Sequence, residues 1–460
     1  MFAPSPRLDL VRGPRGLPGL GNLLAFGKDP LGFLTRLRED FGDAVSWPLG
    51  PLRNVLVSHP QHIGEVFAAR GTTFDLADIS WALQQISGGS LIRSSGAQWR
   101  RKRSLIQATL RPRQVRAHAA TMVDCARSAA DTWHEGERID VGVEMAAIAQ
   151  RNVVRTLFGN DTGEQTRALC DAVETAVNAV GHEMRSPTLL LPDWVPTPYR
   201  RRVRAAIAVV DAEMHRLIRA RLDSPDTEER DDLLSRLLRA CDEHGHALSP
   251  REVRDEALGL WTVGHETTAM ALTWTLYCLS HAPAAYARLE AELADVLAGR
   301  PPALEDYDRL VWTRQIINEA LRLYPPGWLL TTVARDRATI GGTAIPAGTV
   351  VWCSQWVTHR DPRWFPDPDV FRPERWNPAS ADPIPDHAWF PFGGGPRGCP
   401  GSRFALVETT LVLATLTQRF RFDVPGDVAP YAALSLRPAQ PVHATVHKRT
   451  QPLRQTKAAR

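Results

Sequence analysis

The stretch Pro391–Gly401 reads PFGGGPRGCPG and places one cysteine, Cys399, among five glycines and three prolines. Glycines let a backbone adopt φ > 0 and approach a flat object closely, while prolines hold the turn rigid. An apolar helical run, SRFALVETTLVLATL, follows directly from Ser402. Cys399 therefore stands on a stiff loop at a helix N-terminus, where free N–H groups and the helix dipole favour a thiolate. With Arg397 two residues upstream, such a thiolate suits an iron ligand beside an anionic cofactor. The plain alternative is a Gly/Pro-rich surface turn with an incidental cysteine. Other stretches decide between the two.

The longest helical pattern, LSPREVRDEALGLWTVGHETTAMALTWTLYCLSHAP, opens with Ser249 as N-cap, Pro250 at N1 and Glu252 at N3, a capping box. It ends before Pro283, which predicts roughly 32 residues and about 48 Å. Its flanks are apolar nearly all round, as in a helix buried through the middle of a molecule. At its centre, Gly264, His265, Glu266, Thr267 and Thr268 put an acid and two hydroxyls where burial is costly unless they are satisfied. Threonine back-bonding and the glycine predict a local kink or π-bulge. Downstream, WTRQIINEALRLYPP carries Glu319 and Arg322 at i, i+3, and FRPERW carries Arg375. On a surface such a pair contributes only a few tenths of a kcal/mol, roughly. Upstream, the helix beginning at Ser95 sets Trp99 and Arg103 on one face, a spacing that by itself reads as half-buried packing.

In this order, F-G-G-G-P-R-G-C-P-G, G-H-E-T-T, E-x-x-R with a later Arg and W-x-x-x-R resemble the cytochrome P-450 superfamily. The motifs run from about residue 10 to 447. The resemblance implies a mainly α cytochrome P-450 fold, a large helical region around a buried haem with a smaller β-rich region. It implies a single domain over 1–460, in which about 1–70 and 325–365 form the β-rich part and about 71–324 and 366–425 the helical part. It assigns Cys399 as the ligand of haem b, with Trp99, Arg103, Phe392, Arg397 and Gly401 around the cofactor, since an arginine fork suits a propionate. Glu266 and Thr267 become the catalytic acid–alcohol pair, and Gly264 makes room for oxygen. Val263, where alanine or glycine is commonest, narrows that space. Glu319, Arg322 and Arg375 become a structural ionic triad. Thr332 falls where many relatives carry a cation for the second propionate. Candidate pocket residues are Ser90, Leu91, Trp261, Thr262, Val263, Gly264, Gly327, Trp328, Leu329 and Leu434, mostly apolar.

Elsewhere the chain reads plainly. Asp29 and Pro30 start a helix, AVSWPLGPLRNVLVS reads as a β-hairpin, and long helical patterns run from His59 to about Leu323. The stretch Thr72–Ile92 reads as a loop over the substrate, and Leu189–Arg204, with three prolines, as a mobile connection over its entrance. The terminal stretch LSLRPAQPVHATVHKR alternates as strands.

Composition is that of an ordinary globular enzyme, 43% hydrophobic and 23% charged, in 460 residues. No run long enough to span a membrane and no apolar signal-peptide core is present, so no transmembrane anchor and a cytoplasmic location are expected. Six scattered cysteines without a C-x-x-C pair argue against a disulfide framework or zinc site. The net charge is +4, with basic clusters at Arg100–Arg103, Arg200–Arg204 and the tail. Aromatics are not interleaved with them, so no nucleic acid is expected; a docking face around Arg100, Arg101, Lys102 and the cysteine loop for an acidic electron-transfer protein is. The expected activity is haem-thiolate monooxygenation of a lipophilic small molecule (terpenoid, fatty-acyl or polyketide-like) with O2. Electrons would come from a separate ferredoxin or flavodoxin and its NAD(P)H-dependent reductase, and the chain would be monomeric. The alternative is a peroxygenase or isomerase that does not use O2 and NAD(P)H.

Overall fold

The computed structural model describes residues 7–77, 81–159, 164–184, 191–192, 194–224, 229–379 and 383–449. Parts of the Thr72–Ile92 and Leu189–Arg204 stretches, and most of the basic tail, lie outside them. The expected hairpin forms from Ala44–Leu49 and Leu52–Val57, turning at Gly50 with φ 56°. It belongs to a six-stranded sheet in the order Val11–Arg12, Ala44–Leu49, Leu52–Val57, Val350–Cys353, Leu330–Ala334, Phe74–Leu76. The last strand lies beyond the expected limit near residue 70. A three-stranded sheet of Phe420–Asp423, His443–Lys448 and Arg138–Asp140 joins the terminal strands to the short segment ERIDV, which reads as β or turn between the helices.

Helices make up the larger part. The central helix, Pro250–Ser280, has its capping box: Ser249 Oγ accepts from Glu252 N at 3.3 Å and Glu252 Oε2 from Ser249 N at 2.9 Å. Most of its residues are buried, because neighbours pack on it from several sides. Trp274 stacks on Tyr324 at 4.1 Å and donates from Nε1 to the Leu436 carbonyl at 2.9 Å, tying the helix to the chain's C-terminal part. The expected π-bulge is absent: the helix is α throughout. Thr267 Oγ1 and Thr268 Oγ1 do bond back to the Val263 and Gly264 carbonyls, at 2.7 and 3.0 Å, without displacing the backbone ladder.

The helix Gly96–Thr109 and the loop before it are stitched to the central helix by charge. Lys102 and Glu256, 1% and 2% exposed, form an ion pair at 3.0 Å. Leu91 N donates to Glu256 Oε2 at 3.0 Å and Gly89 N to Asp255 Oδ2 at 2.8 Å. Lys102 also donates to the Gly89 carbonyl. This corrects the basic docking face: Lys102 is buried, and Arg101 is engaged by Asp242 at 2.7 Å and Glu252 at 3.1 Å. Of the three, Arg100 alone is exposed.

Candidate active site

The cysteine loop is clamped from two directions. On one side Phe67 presses against it. An added Cβ on Gly394 would collide with the Phe67 ring and one on Gly395 with the Phe67 carbonyl, and Gly395 also has φ 64°. On the other, Arg103 Nη1 donates to the Gly398 carbonyl at 2.7 Å, across 295 residues of chain. Within the loop, Cys399 N donates to the Phe392 carbonyl at 2.9 Å, and the Gly401 N–H points at the sulfur.

Cys399 is reached by solvent, although protein atoms surround it closely enough that burial raises its thiol pKa. The Gly401 N–H and the Arg103 charge pull the other way but do not outweigh burial. A helix N-terminus alone, Gly401 without a side-chain cap, therefore does not make the thiolate; a bound metal cation would.

Arg397 lies over the Trp99 ring at 4.6 Å. Its side chain is 6% exposed, yet Nε and Nη2 have no hydrogen-bond partner, and Asp75 Oδ1 at 3.8 Å is too far to supply one. Burial first, then the Arg70 charge, push its pKa down to about 10. A buried, unpaired guanidinium two residues from an accessible buried thiol fits a flat, anionic, iron-bearing cofactor. Thr332 contributes no cation and gives its hydroxyl to the Asp75 carbonyl.

Behind the loop, Glu319 and Arg322 are both 0% exposed and paired through two bonds, Nε–Oε2 at 3.0 Å and Nη2–Oε1 at 2.8 Å. Glu319 also accepts from Arg375 Nε at 3.2 Å, Arg372 N at 3.0 Å and Trp376 Nε1 at 3.0 Å. Arg322 donates onward to the carbonyls of His359, Pro368 and Val370. The pair thus gathers the coil that leads into the cysteine loop.

On the central helix, Val263 is 42% exposed and Thr267 half-buried one turn later, an accessible stripe on an otherwise enclosed rod. Glu266 points elsewhere. Its Oε1 accepts from Ser435 Oγ and from Arg437 at 2.7 Å (Nε) and 2.6 Å (Nη2). It also lines a surface pocket of about 550 Å³ with Glu174, His265 and Arg437. Acid and alcohol are neighbours in sequence but face different compartments. Gly264 also packs closely against a neighbouring helix: an added Cβ would come within 3.2 Å of Val153.

The expected pocket residues divide. Val263, Gly327, Leu329 and Leu434 are at least partly accessible, and Leu91 packs partly buried on the helical core. Trp261 is fully buried against Phe158 at 5.6 Å, and Trp328 is 3% exposed with Nε1 bonded to the Ala433 carbonyl. Ser90 and Thr262 are enclosed too, with unpartnered hydroxyls. These four are wall rather than lining.

Glu408 belongs to none of the sequence motifs. Glu408 is 1% exposed in the helix after the cysteine loop, accepts from Asn152 at 2.9 Å and contacts the Thr268 hydroxyl; burial raises its pKa to about 8. Its signal was available: one acid in the run SRFALVETTLVLATL.

The family model described as Cytochrome P450 matches residues 11–441. The chain belongs to the cytochrome P450 family. It is 35% identical over 427 residues to cyclooctatin synthase of Streptomyces melanosporofaciens, covering 92% of each chain. To cyclooctat-9-en-7-ol 5-monooxygenase of the same organism it is 35% identical, covering 90% of each. To pentalenene oxygenase of Streptomyces avermitilis it is 32% identical, covering 91% of this chain and 93% of the relative. This P450 is a monooxygenase, and its family implies a haem-thiolate cofactor, a substrate, O2 and redox partners. No helix among its described residues is long and apolar enough to cross a membrane.

Proposed function

We propose that this P450 hydroxylates or epoxidises a terpenoid or similar polycyclic, lipophilic molecule. The observation that carries the reading is the set of relatives, about one-third identical over nine-tenths of their length, whose names give pentalenene and cyclooctat-9-en-7-ol. The accessible positions Val263, Leu329 and Leu434 are apolar and offer no charge to hold a carboxylate, which favours such a molecule over a free fatty acid. The cofactor would be haem b, held by Cys399 at the iron and by Trp99, Arg103 and Arg397 at the propionates. When bound, it supplies the redox chemistry that activates O2 and oxidises an unactivated C–H or C=C bond. The protein's part is then access, orientation and protons. Thr267 Oγ1, on the accessible stripe, would deliver a proton to the reacting centre on turning from the Val263 carbonyl, to which it now donates, and Val263 would limit which carbons approach. Glu266, held by Ser435 and Arg437 at the solvent pocket, would supply protons from the far side of the helix and only once both partners let go of it. Electrons come from a ferredoxin or flavodoxin with its reductase, docking by charge on the exposed Arg100, Arg111, Arg113 and Arg403. Glu319, Arg322 and Arg375 brace the cysteine loop and take no part in the chemistry.

Titration of the ferric protein with cyclic sesquiterpenes and diterpenes, against fatty acids of matched size, tests the substrate class. Low-to-high spin conversion and oxidised product with a surrogate ferredoxin pair are expected for the terpenes; conversion by fatty acids alone overturns it. In the same assay Thr267→Ala is expected to keep consuming NAD(P)H while product formed per NAD(P)H falls about tenfold or more. Unchanged coupling removes Thr267 from the proton path.

A further inference from the structure

Arg70, just past the helix Pro60–Ala68, is a buried cation without an anion. The residue is 7% exposed, and its guanidinium lies 5.8 Å over the Phe67 ring, the ring that presses on the cysteine loop. No carboxylate pairs with it and no hydrogen bond from its side chain is formed among the described residues. The next residue, Gly71, abuts the same centre: an added Cβ would lie 3.7 Å from the Trp99 ring and 3.8 Å from Arg397 Nε. Arg70 and Arg397 are thus neighbouring guanidiniums, and Arg70 is the strongest charge acting on Arg397.

The local balance of charge is one-sided. Asp75 is the carboxylate at hand, and it is taken by Arg335 while standing 3.8 Å from Arg397. Arg397 Nε and Nη2 remain without partners. Two desolvated like charges side by side are costly to hold unless an anion joins them. Arg397 sits in the loop of the iron ligand, so the anion that belongs here is carried by the cofactor. We propose that Arg70 shares a haem propionate with Arg397, supplying from the end of an N-terminal helix the cation that Thr332 does not. Guanidinium suits the task because its planar fork presents paired donors to a carboxylate and stays charged when buried. The proposal rests on the haem-thiolate reading of the family.

The test measures haem retention, with Arg70→Ala and the shape-conserving Arg70→Gln compared with the parent holoprotein. Each is also rebuilt with haem dimethyl ester, whose propionates carry no charge, and transfer of the haem to excess apomyoglobin is followed. With ordinary haem, both variants are expected to lose cofactor about tenfold faster or more, the size of a charge-assisted hydrogen bond. With the ester, variant and parent should lose it at one rate. The ferric/ferrous potential of the ordinary holoprotein should also fall in both variants, since a positive charge near the haem is removed, and Arg70→Lys should restore it. Equal loss rates with ordinary haem overturn the proposal; so does a tenfold gap that persists with the ester, which would make Arg70 a packing residue. If Arg70→Ala does not fold, Arg70→Gln and Arg70→Lys decide by the same rates. A parent protein that binds no haem at all would instead break the family reading beneath it.

Discussion

Glu319→Ala is expected to destabilise the haem-loaded protein by about 3–5 kcal/mol, the usual cost of removing one partner from a buried ion pair. The size follows from what the carboxylate holds. Both its oxygens are used, by two arginines, a backbone N–H and an indole N–H, and neither it nor Arg322 touches water. Alanine leaves Arg322 charged, enclosed and held by carbonyls alone. Glu319→Gln keeps the shape and can still accept from Trp376 or Arg372, so it should recover only part of the loss. Urea unfolding of the three proteins, followed by tryptophan fluorescence and by the Soret band, measures this. A midpoint shift equivalent to less than about 1 kcal/mol in Glu319→Ala would reduce the triad to the standing of a surface bridge.

Glu408→Gln is expected to act in the opposite direction and to depend on pH. The carboxyl is held at about 8 in the folded protein, against an ordinary value of 4.5. From pH 4.5 to about 8 the unfolded chain has released this proton and the folded chain keeps it. The folded state therefore binds more protons, and stability falls as pH rises across that window, levelling above it. The full span corresponds to a loss on the order of 5 kcal/mol. The structure has a place for the protonated form: Thr268 spends its hydroxyl hydrogen on the Gly264 carbonyl and so accepts from Glu408, while Asn152 donates to it. A glutamine amide reproduces both bonds without a titrating group. Melting curves of the two holoproteins between pH 5 and 9 should diverge, Glu408→Gln gaining as pH rises. Parallel curves would mean that Glu408 ionises where an exposed carboxylate does.

What the sequence disclosed, and what it hid, separates along the distance of the partners. The capping box on Ser249, the rigidity around Cys399 and the Glu319–Arg322 pair are local, and each is where its spacing put it. Lys102 is hidden because its partner, Glu256, stands on another helix; a basic cluster written along the chain is not a basic face in space. Trp261 and Trp328 were placed in the pocket by position, whereas their rings are absorbed by packing and, for Trp328, by a hydrogen bond. The bulge failed for a local reason: the threonine back-bonds are compatible with an unbroken ladder, and Gly264 is used to let Val153 approach. Arg70 had no signal at all, since a lone arginine after an amphipathic helix shows its isolation only when its neighbours are known.

The stitching of Gly89, Leu91 and Lys102 to Asp255 and Glu256 has a mechanical consequence. It turns one flank of the molecule into a fixed wall, because peeling that segment away would break the buried Lys102–Glu256 pair and leave Glu256 enclosed without its cation. A bulky guest must then be admitted by movement elsewhere on the protein, while the wall keeps its shape from one turnover to the next. Selectivity for the guest would come from the rigid flank, and the rate of its exchange from the flank that yields.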